Sequence, residues 1–179
     1  YPLMKGKNVA IITIGAGWAV ALSDSLPRGG LQVQMFSPEL QSRLRKLVPS
    51  ERASVKNPID FGASGANDPA ILVKIIELLF SEEEVNAMVI SGVGEMAPIE
   101  RESLVWEVSL ASKTYEESLK YGKPIVFFTP LTKLSSTSVE QIIDKGIPIC
   151  HSISEAVTAL SSLNKRWLYL PTHREPNKN

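Results

Sequence analysis

Short, almost unbroken apolar runs alternate along this chain with stretches in which apolar residues recur at helical spacing. The runs are rich in Val and Ile and show little alternation of polar and apolar positions. This pattern is typical of parallel strands that helices cover on both faces. Five strands are predicted, at Val9–Ile14, Leu31–Phe36, Ala87–Ser91, Ile125–Thr129 and Ile147–Cys150.

Helix start signals stand between these runs. Ser37-Pro38-Glu39 offers an N-cap residue, a proline at the first helical position and an early acid. Asp68-Pro69 repeats that signal, and Ser152-Ile-Ser-Glu155 has the spacing of a capping box. Three further helices are predicted, at Trp18–Leu26, from about Ile99 to Tyr121, and around Val139–Ile143.

The alternation of strands and helices predicts an α/β fold with an open, doubly wound, mostly parallel five-stranded sheet, close to flavodoxin-like. A chain of 179 residues that is 44% hydrophobic fits one domain with a full core. We assign residues 1–170 to this domain and interpret the polar residues 171–179 as a disordered tail. The chain begins at Tyr1 rather than Met, so we interpret it as a processed product or a piece of a longer protein.

The composition argues against several functional classes. Nineteen basic residues balance nineteen acidic ones, so no charge excess points to nucleic acid or to an anionic membrane surface. No apolar run approaches the length of a membrane span. The single cysteine, Cys150, excludes an internal disulfide and a cysteine metal cluster, and a cytoplasmic location is expected.

The carboxyl ends of the strands are where open α/β sheets bind ligands. After the first predicted strand, a glycine turn leads directly into a helix, whose N-terminus carries unpaired N–H groups and partial positive charge. Glycines at such a turn let an anion approach the backbone. We therefore predict a phosphate or carboxylate cradle at Gly15, Ala16, Gly17 and Trp18, although glycine is also common in βα turns that bind nothing.

Nucleotide cofactors fit this edge less well than a simple anion. A dinucleotide fingerprint needs a third glycine, where the chain has Val20, and an acid at the end of the second strand, where it has Ser37. A Walker A motif is absent from the sequence. A flavin site would use a hydroxyl-rich loop, which this turn lacks, but FMN is left open.

Side chains suited to catalysis are scarce, and we predict neither a catalytic residue nor a metal site. His173 falls in the polar tail. Cys150 and His151 are neighbours on a predicted strand, so their side chains point to opposite faces and are not expected to form a thiol–imidazole pair. Two histidines and one cysteine in these positions do not make a metal site.

Several segments together resemble a known family. Residues 7–24, with their strand, small glycine turn and helix, resemble the opening of the ligase-CoA domain of NDP-forming acyl-CoA synthetases, which include ADP-forming acetate–CoA ligase and succinyl-CoA synthetase. Residues 53–60 resemble the family's A-S-V-x-N-P-V-D segment. Gly122-Lys-Pro-Ile-Val126, Gly146-Ile-Pro-Ile149 and Ser152-Ile-Ser-Glu-Ala-Val157 follow in the family's order, so the resemblance extends from Lys7 to about Trp167.

This resemblance implies a domain of a larger enzyme. Enzymes of the family form or consume acyl-CoA through an acyl phosphate and a phosphohistidine. The implied partners are the domain that carries the phosphohistidine loop and binds CoA, and an ATP-grasp domain that binds the nucleotide. CoA and ADP or ATP would act through those domains, so no tightly bound cofactor is expected here. Assembly into a homo-oligomer is left open.

The resemblance also implies roles for two segments. The helix start at Gly15, Ala16, Gly17 and Trp18 would be one of two helix N-termini that hold the phosphohistidine, and Gly92, Val93 and Gly94 would lie near the acyl substrate. Ile14 stands where the family has Asn, and Trp18 replaces a smaller residue. Two interpretations therefore stay open: a domain of an active acid–CoA ligase, or a non-catalytic module that binds a CoA ester or a protein partner for regulation or assembly.

Overall fold

The structure, a computed structural model, describes residues 1–13, 16–48, 50–51, 53–61, 69–96, 98–99 and 103–172. Its strands are β1 (Val9–Thr13), β2 (Ser54–Val55), β3 (Ile59–Asp60), β4 (Ala87–Ser91), β5 (Ile125–Phe128) and β6 (Ile149–Cys150). Its helices are α1 (Ala16–Arg28), α2 (Pro38–Leu47), α3 (Pro69–Ser81), α4 (Ser103–Tyr121), α5 (Thr137–Asp144) and α6 (Ile153–Thr172). Among the residues described, no helix has the length and apolar character needed to cross a membrane.

All six strands lie in one sheet, in the order β2-β3-β1-β4-β5-β6. Every pairing is parallel except that of β2 with β3, which is antiparallel. Without the short edge strand β2, the order is the 2-1-3-4-5 order of flavodoxin-like folds. The predicted open, mostly parallel sheet is therefore confirmed, with six strands in the described part of the chain instead of five.

The predicted strand at Leu31–Phe36 is wrong. Within this segment only Gln32 makes a β-bridge, to Asn8, and β3 takes the place beside β1. The cause is the side chain of Asn57, whose Oδ1 accepts a hydrogen bond from the Ile11 N–H at 3.0 Å. Its Nδ2 donates to the carbonyl oxygens of Val9 at 3.0 Å and Gln34 at 2.9 Å. The side-chain amide of Asn57 thus makes hydrogen bonds to β1 that the backbone of the predicted strand would have made.

Two apolar cores cover the two faces of the sheet. Ile12 and Phe127 belong to the core under α2, α3, α4 and α5, whereas Ile11 and Phe128 belong to the core under α1 and α6. All four side chains are at most 2% exposed. Because helices cover both faces, the strands β1, β4 and β5 are buried at every position, which explains the lack of alternation in the sequence.

Two predicted helix caps are present. The Ser37 hydroxyl accepts a hydrogen bond from the Leu40 N–H at 3.3 Å and begins α2. The Ser152 hydroxyl accepts from the Glu155 N–H at 3.1 Å and begins α6. The Glu155 carboxylate accepts from the N–H of His151, one residue before the position that a full capping box uses.

The ends of three elements differ from the predictions or lie outside the described residues. The helix expected from about Ile99 begins at Ser103. Helix α6 continues to Thr172, so the first two residues of the predicted tail are helical. Asp68, Ile14 and residues 173–179 lie outside the described residues.

Candidate functional site

The carboxyl ends of β1, β4 and β5 meet at one edge because these strands are adjacent and parallel. Thr13 and Ser91, which end β1 and β4, are fully buried, and the Ser91 hydroxyl donates to Thr13 Oγ1 at 2.8 Å. Thr129 follows β5, and its N–H donates to the Cys150 carbonyl at 3.1 Å. The residues that end β1 and β4 and the residue that follows β5 therefore lie at one edge of the sheet.

The start of α1 lies open at this edge. Ala16 and Gly17 are exposed. Apart from its chain neighbours and the backbone of its own helix, a Cβ added at Gly17 would find no atom of the described residues within 4 Å. The first N–H groups of a helix have no intrahelical acceptor and point out along the axis, so the backbone here is accessible to an anion. Gly15 lies outside the described residues, and phosphate binding at residues 15–18 stays a prediction.

Trp18 joins the start of α1 to the end of β5. Its ring packs edge-on against Phe128, with the ring centroids 4.9 Å apart and the planes at 86°. Trp18 is half-buried at the margin of the core under α1 and α6, and Val20 is a large apolar residue of this helix that is exposed, at 64%. The packing of the indole ring therefore fixes the position of the helix N-terminus, and part of the ring is exposed at the surface.

The buried carboxylate of Glu107 organises the turn after β4. It is fully buried; its Oε1 accepts hydrogen bonds from the N–H groups of Gly94 at 2.9 Å and Met96 at 3.0 Å. Its Oε2 accepts from the Ser138 hydroxyl at 2.6 Å, which links α4 to α5. A buried charge is tolerated when hydrogen bonds satisfy it in this way. The sequence pattern did not single out Glu107, whose signal is an acid next to Val108 on the apolar face of α4.

Gly92, Val93 and Gly94, the predicted substrate segment, are buried in this turn. Gly92 and Gly94 have φ angles of 90° and 87°, which glycine adopts without steric cost. A Cβ on Gly94 would lie 2.4 Å from Cγ2 of Val139, and the Gly94 carbonyl accepts from the Ser136 hydroxyl at 2.7 Å. Glycine is therefore required at position 94 because the backbone there lies close to α5. Contact of residues 92–94 with a substrate stays a prediction.

Glu95 carries an enclosed carboxyl oxygen at the same turn. Its Oε1 is buried and has no hydrogen-bond partner among the described residues. Burial and the neighbouring Glu107 carboxylate raise the pKa of Glu95, and a hydrogen bond with Thr129 opposes that rise. This carboxyl group therefore keeps its proton to a higher pH than an ordinary glutamate.

Cys150 and His151 lie at the end of β6. Burial raises the pKa of the Cys150 thiol to about 11, with a smaller contribution from the Glu155 carboxylate. The thiol is therefore protonated at neutral pH and is a poor nucleophile. Nδ1 of His151 is enclosed and finds no hydrogen-bond partner in the part of the chain that the structure describes. Across that same part, no group of three or more His, Cys, Asp or Glu side chains could hold a metal ion.

Comparison with known proteins gives one curated relative. No protein-family model matches the chain. The alpha subunit of ADP-forming acetate–CoA ligase II from Pyrococcus furiosus is 26% identical over 167 residues, which are 90% of this chain and 34% of that subunit. The resemblance predicted from the sequence is confirmed. The chain spans about a third of the length of this relative.

Solved structures share the fold. The crystal structure of PH0766 from Pyrococcus horikoshii matches with a TM-score of 0.74 and 24% identity, over 90% of this chain and 36% of the other. Dinucleotide-forming acetyl-coenzyme A synthetase 1 of Candidatus Korarchaeum cryptofilum, in complex with phosphate and ADP, matches with a TM-score of 0.69 and 18% identity, over 98% of this chain and 37% of the synthetase. At these identities the likeness establishes the common fold.

Proposed function

We propose that this chain is a ligase-CoA-type domain of an NDP-forming acid–CoA ligase, and that the start of α1 stabilises a phosphoryl group during its transfer. The observation that carries the proposal is the open helix N-terminus at Ala16 and Gly17, at the carboxyl edge of the sheet. The similarity to an acetate–CoA ligase subunit supports an acyl phosphate or a phosphohistidine as the source of that group.

The proposed contribution of this domain is electrostatic. A helix N-terminus carries roughly half a positive charge, and its free N–H groups can donate to phosphoryl oxygens. Fixed dipoles aimed at a developing charge stabilise a transition state without forming a covalent bond. The packing of Trp18 on Phe128 holds the helix start in place, so little reorganisation is needed when the charge arrives.

The other components of the reaction would come from other domains. The chain spans about a third of the relative's length. We propose that a phosphohistidine- and CoA-binding domain and an ATP-grasp domain make up the rest of the enzyme, and that CoA and ADP or ATP act through them. When such a partner covers the helix start and excludes water, the interaction with phosphate should strengthen from about 0.3–1 kcal/mol to as much as ~2 kcal/mol.

Titration of the chain with inorganic phosphate, followed by backbone amide chemical shifts, tests this proposal. We expect weak binding, with the largest shifts at residues 15–18. Gly17→Asp places a carboxylate in the cradle and should abolish binding, whereas the isosteric but uncharged Gly17→Asn should retain it. Both side chains fit, because the space at Gly17 is open. An acid in the first helical turn also favours the helix, so the fold should persist.

Two results would contradict the proposal. Shifts that are largest away from residues 15–18 would place the anion elsewhere. Shifts at those residues that survive Gly17→Asp unchanged would show that the helix charge does not hold the anion. Either result would favour the non-catalytic module, in which the glycine turn serves only the fold.

A further inference from the structure

The two middle strands of the sheet are apolar up to their last residue, and each then ends on a hydroxyl side chain. Thr13 ends β1 and Ser91 ends β4. Both side chains are fully buried, and the Ser91 hydroxyl donates a hydrogen bond to Thr13 Oγ1 at 2.8 Å. Neither residue belongs to the proposed phosphate cradle, so this buried polar pair needs an explanation of its own.

The hydroxyl pair lies on the face of the sheet that α1 covers. Ile11 and Val89, two residues before Thr13 and Ser91, belong to the core under α1 and α6. Because side chains two positions apart on a strand point to the same face, Thr13 and Ser91 face that core as well. The pair therefore lies at the carboxyl end of the core that α1 covers.

Contacts on the same face connect the pair to the first turn of α1. Ser91 pairs with Phe128 in the strand register, and the N–H of Gly92 donates to the Phe128 carbonyl at 3.1 Å. The Phe128 ring packs edge-on against Trp18, with the ring centroids 4.9 Å apart. The first turn of α1 therefore packs on the residue that lies directly beside Ser91.

Thr13 is also the last residue of β1 before the turn that leads into α1. Its carbonyl accepts a hydrogen bond from the Phe61 N–H at 3.2 Å, and its hydroxyl accepts from Ser91. These bonds hold the end of β1 from the side of β3 and from the side of β4. Ala16 begins α1 three residues later, and three residues span at most about 11 Å. A shift of Thr13 would therefore be passed on to the start of the helix.

The bond between the two hydroxyls is directional, whereas apolar packing is not. An O–H···O bond requires a narrow range of distance and angle. Burying either hydroxyl without its partner costs free energy, so the pair favours the one arrangement of the two strand ends in which the bond forms. A binding site needs such support, because its donors must be held within about 0.5 Å of the required position.

We propose that Thr13 and Ser91 are positioning residues for the phosphate cradle. Their hydrogen bond fixes the strand end from which α1 starts, and it thereby aims the free N–H groups of Ala16 and Gly17 at the anion. This inference rests on the proposed function, of which the cradle is the central feature. Both hydroxyls are fully buried, so we assign them no contact with the anion itself.

Phosphate titrations of the whole chain, followed by amide chemical shifts, test this role. Thr13→Val keeps the shape of the side chain and removes the hydroxyl, and Ser91→Ala removes the donor. Each variant should weaken phosphate binding about three- to fivefold, which is most of what one exposed helix N-terminus supplies. Thr13→Ser keeps the hydroxyl and should bind phosphate as the wild type does.

Ser118→Ala is the matched control. Ser118 is a fully buried hydroxyl that donates to the Lys123 carbonyl at 2.7 Å, close to the start of β5 and so at the opposite edge of the sheet. This variant should lower the urea midpoint, as Thr13→Val does, and leave phosphate binding unchanged. Before any phosphate is added, Thr13→Val should already shift the amide signals of residues 16–18, and Ser118→Ala should not.

Wild-type phosphate affinity in both Thr13→Val and Ser91→Ala would overturn the inference. An equal loss of affinity in Ser118→Ala would do the same, because it would trace the effect to lower stability alone. Unchanged signals of residues 16–18 in phosphate-free Thr13→Val would also overturn it, whether or not the wild type binds phosphate. Wild-type phosphate shifts that spare residues 16–18 would instead contradict the proposed function, and the phosphate-free signals would still decide whether the pair positions the helix start.

Discussion

Replacing Asn57 by glycine should remove the three hydrogen bonds by which its side chain joins β1 to the segment that contains Gln34. The Asn57 amide accepts from the Ile11 N–H and donates to the carbonyl oxygens of Val9 and Gln34. Val9 and Ile11 are fully buried. Asn57 has a φ of 100°, which glycine adopts freely, so the substitution deletes the side chain without adding backbone strain.

The expected loss follows from the two buried backbone groups. Leaving a buried donor or acceptor unpaired costs about 1–3 kcal/mol, so the Ile11 N–H and the Val9 carbonyl together cost about 2–6 kcal/mol. Asn57 itself is only partly buried, so water can reach part of the vacated space and the lower values, about 2–4 kcal/mol, are expected. Glycine adds about 0.5–1 kcal/mol through its greater freedom in the unfolded chain.

Urea denaturation followed by circular dichroism measures this loss. Gln32→Gly is the matched control, because Gln32 is an exposed amide in the neighbouring segment and the change carries the same glycine cost. The difference between the two variants is a lower bound on the contribution of the hydrogen bonds, because glycine also relieves the positive φ of Asn57, a conformation that Gln32 does not have. A difference below about 0.5 kcal/mol, or an unchanged hydrogen-exchange rate at the Ile11 amide, would refute the idea that Asn57 stands in for a strand.

Two further predictions test the carboxyl edge. Gly94→Ala should destabilise the domain by about 2–4 kcal/mol in urea denaturation, because the new Cβ would lie 2.4 Å from Val139 Cγ2 at a φ of 87°. Gly30→Ala, at a similar φ of 81° in open space, should cost only about 1–2 kcal/mol, and equal losses would argue against the contact with α5. The pKa of the Cys150 thiol is about 11 in the native chain, against an ordinary 9.0. Iodoacetamide should therefore alkylate Cys150 about a hundredfold more slowly at pH 8 in the native chain than in the unfolded chain. The rate in the native chain should rise about tenfold per pH unit. Equal rates in the two states would show that burial does not protect the thiol.

The elements that the sequence predicted well are those whose signals are local. The caps at Ser37 and Ser152 depend on side chains that bond an N–H three residues away, so they can be recognised within one helical turn. The apolar runs of β1, β4 and β5 are buried on both faces, which leaves a continuous pattern in the sequence. The meeting of the carboxyl ends of β1, β4 and β5 at one edge followed as well, because these strands are adjacent and parallel.

The sequence by itself therefore determined the helix caps, the buried strands β1, β4 and β5 and the parallel sheet. Ligand binding at the carboxyl edge of that sheet stays a prediction. Only the tertiary structure decided that β3 takes the place of the predicted strand Leu31–Phe36, since Asn57 bonds to Ile11 across 46 positions of the chain. It also decided that Glu107 is satisfied, in part by Ser138 at a separation of 31 positions, and that the Thr129 N–H donates to the Cys150 carbonyl. These contacts join residues far apart in the chain, and their partners are set by how the helices and strands pack, so no local pattern carries them.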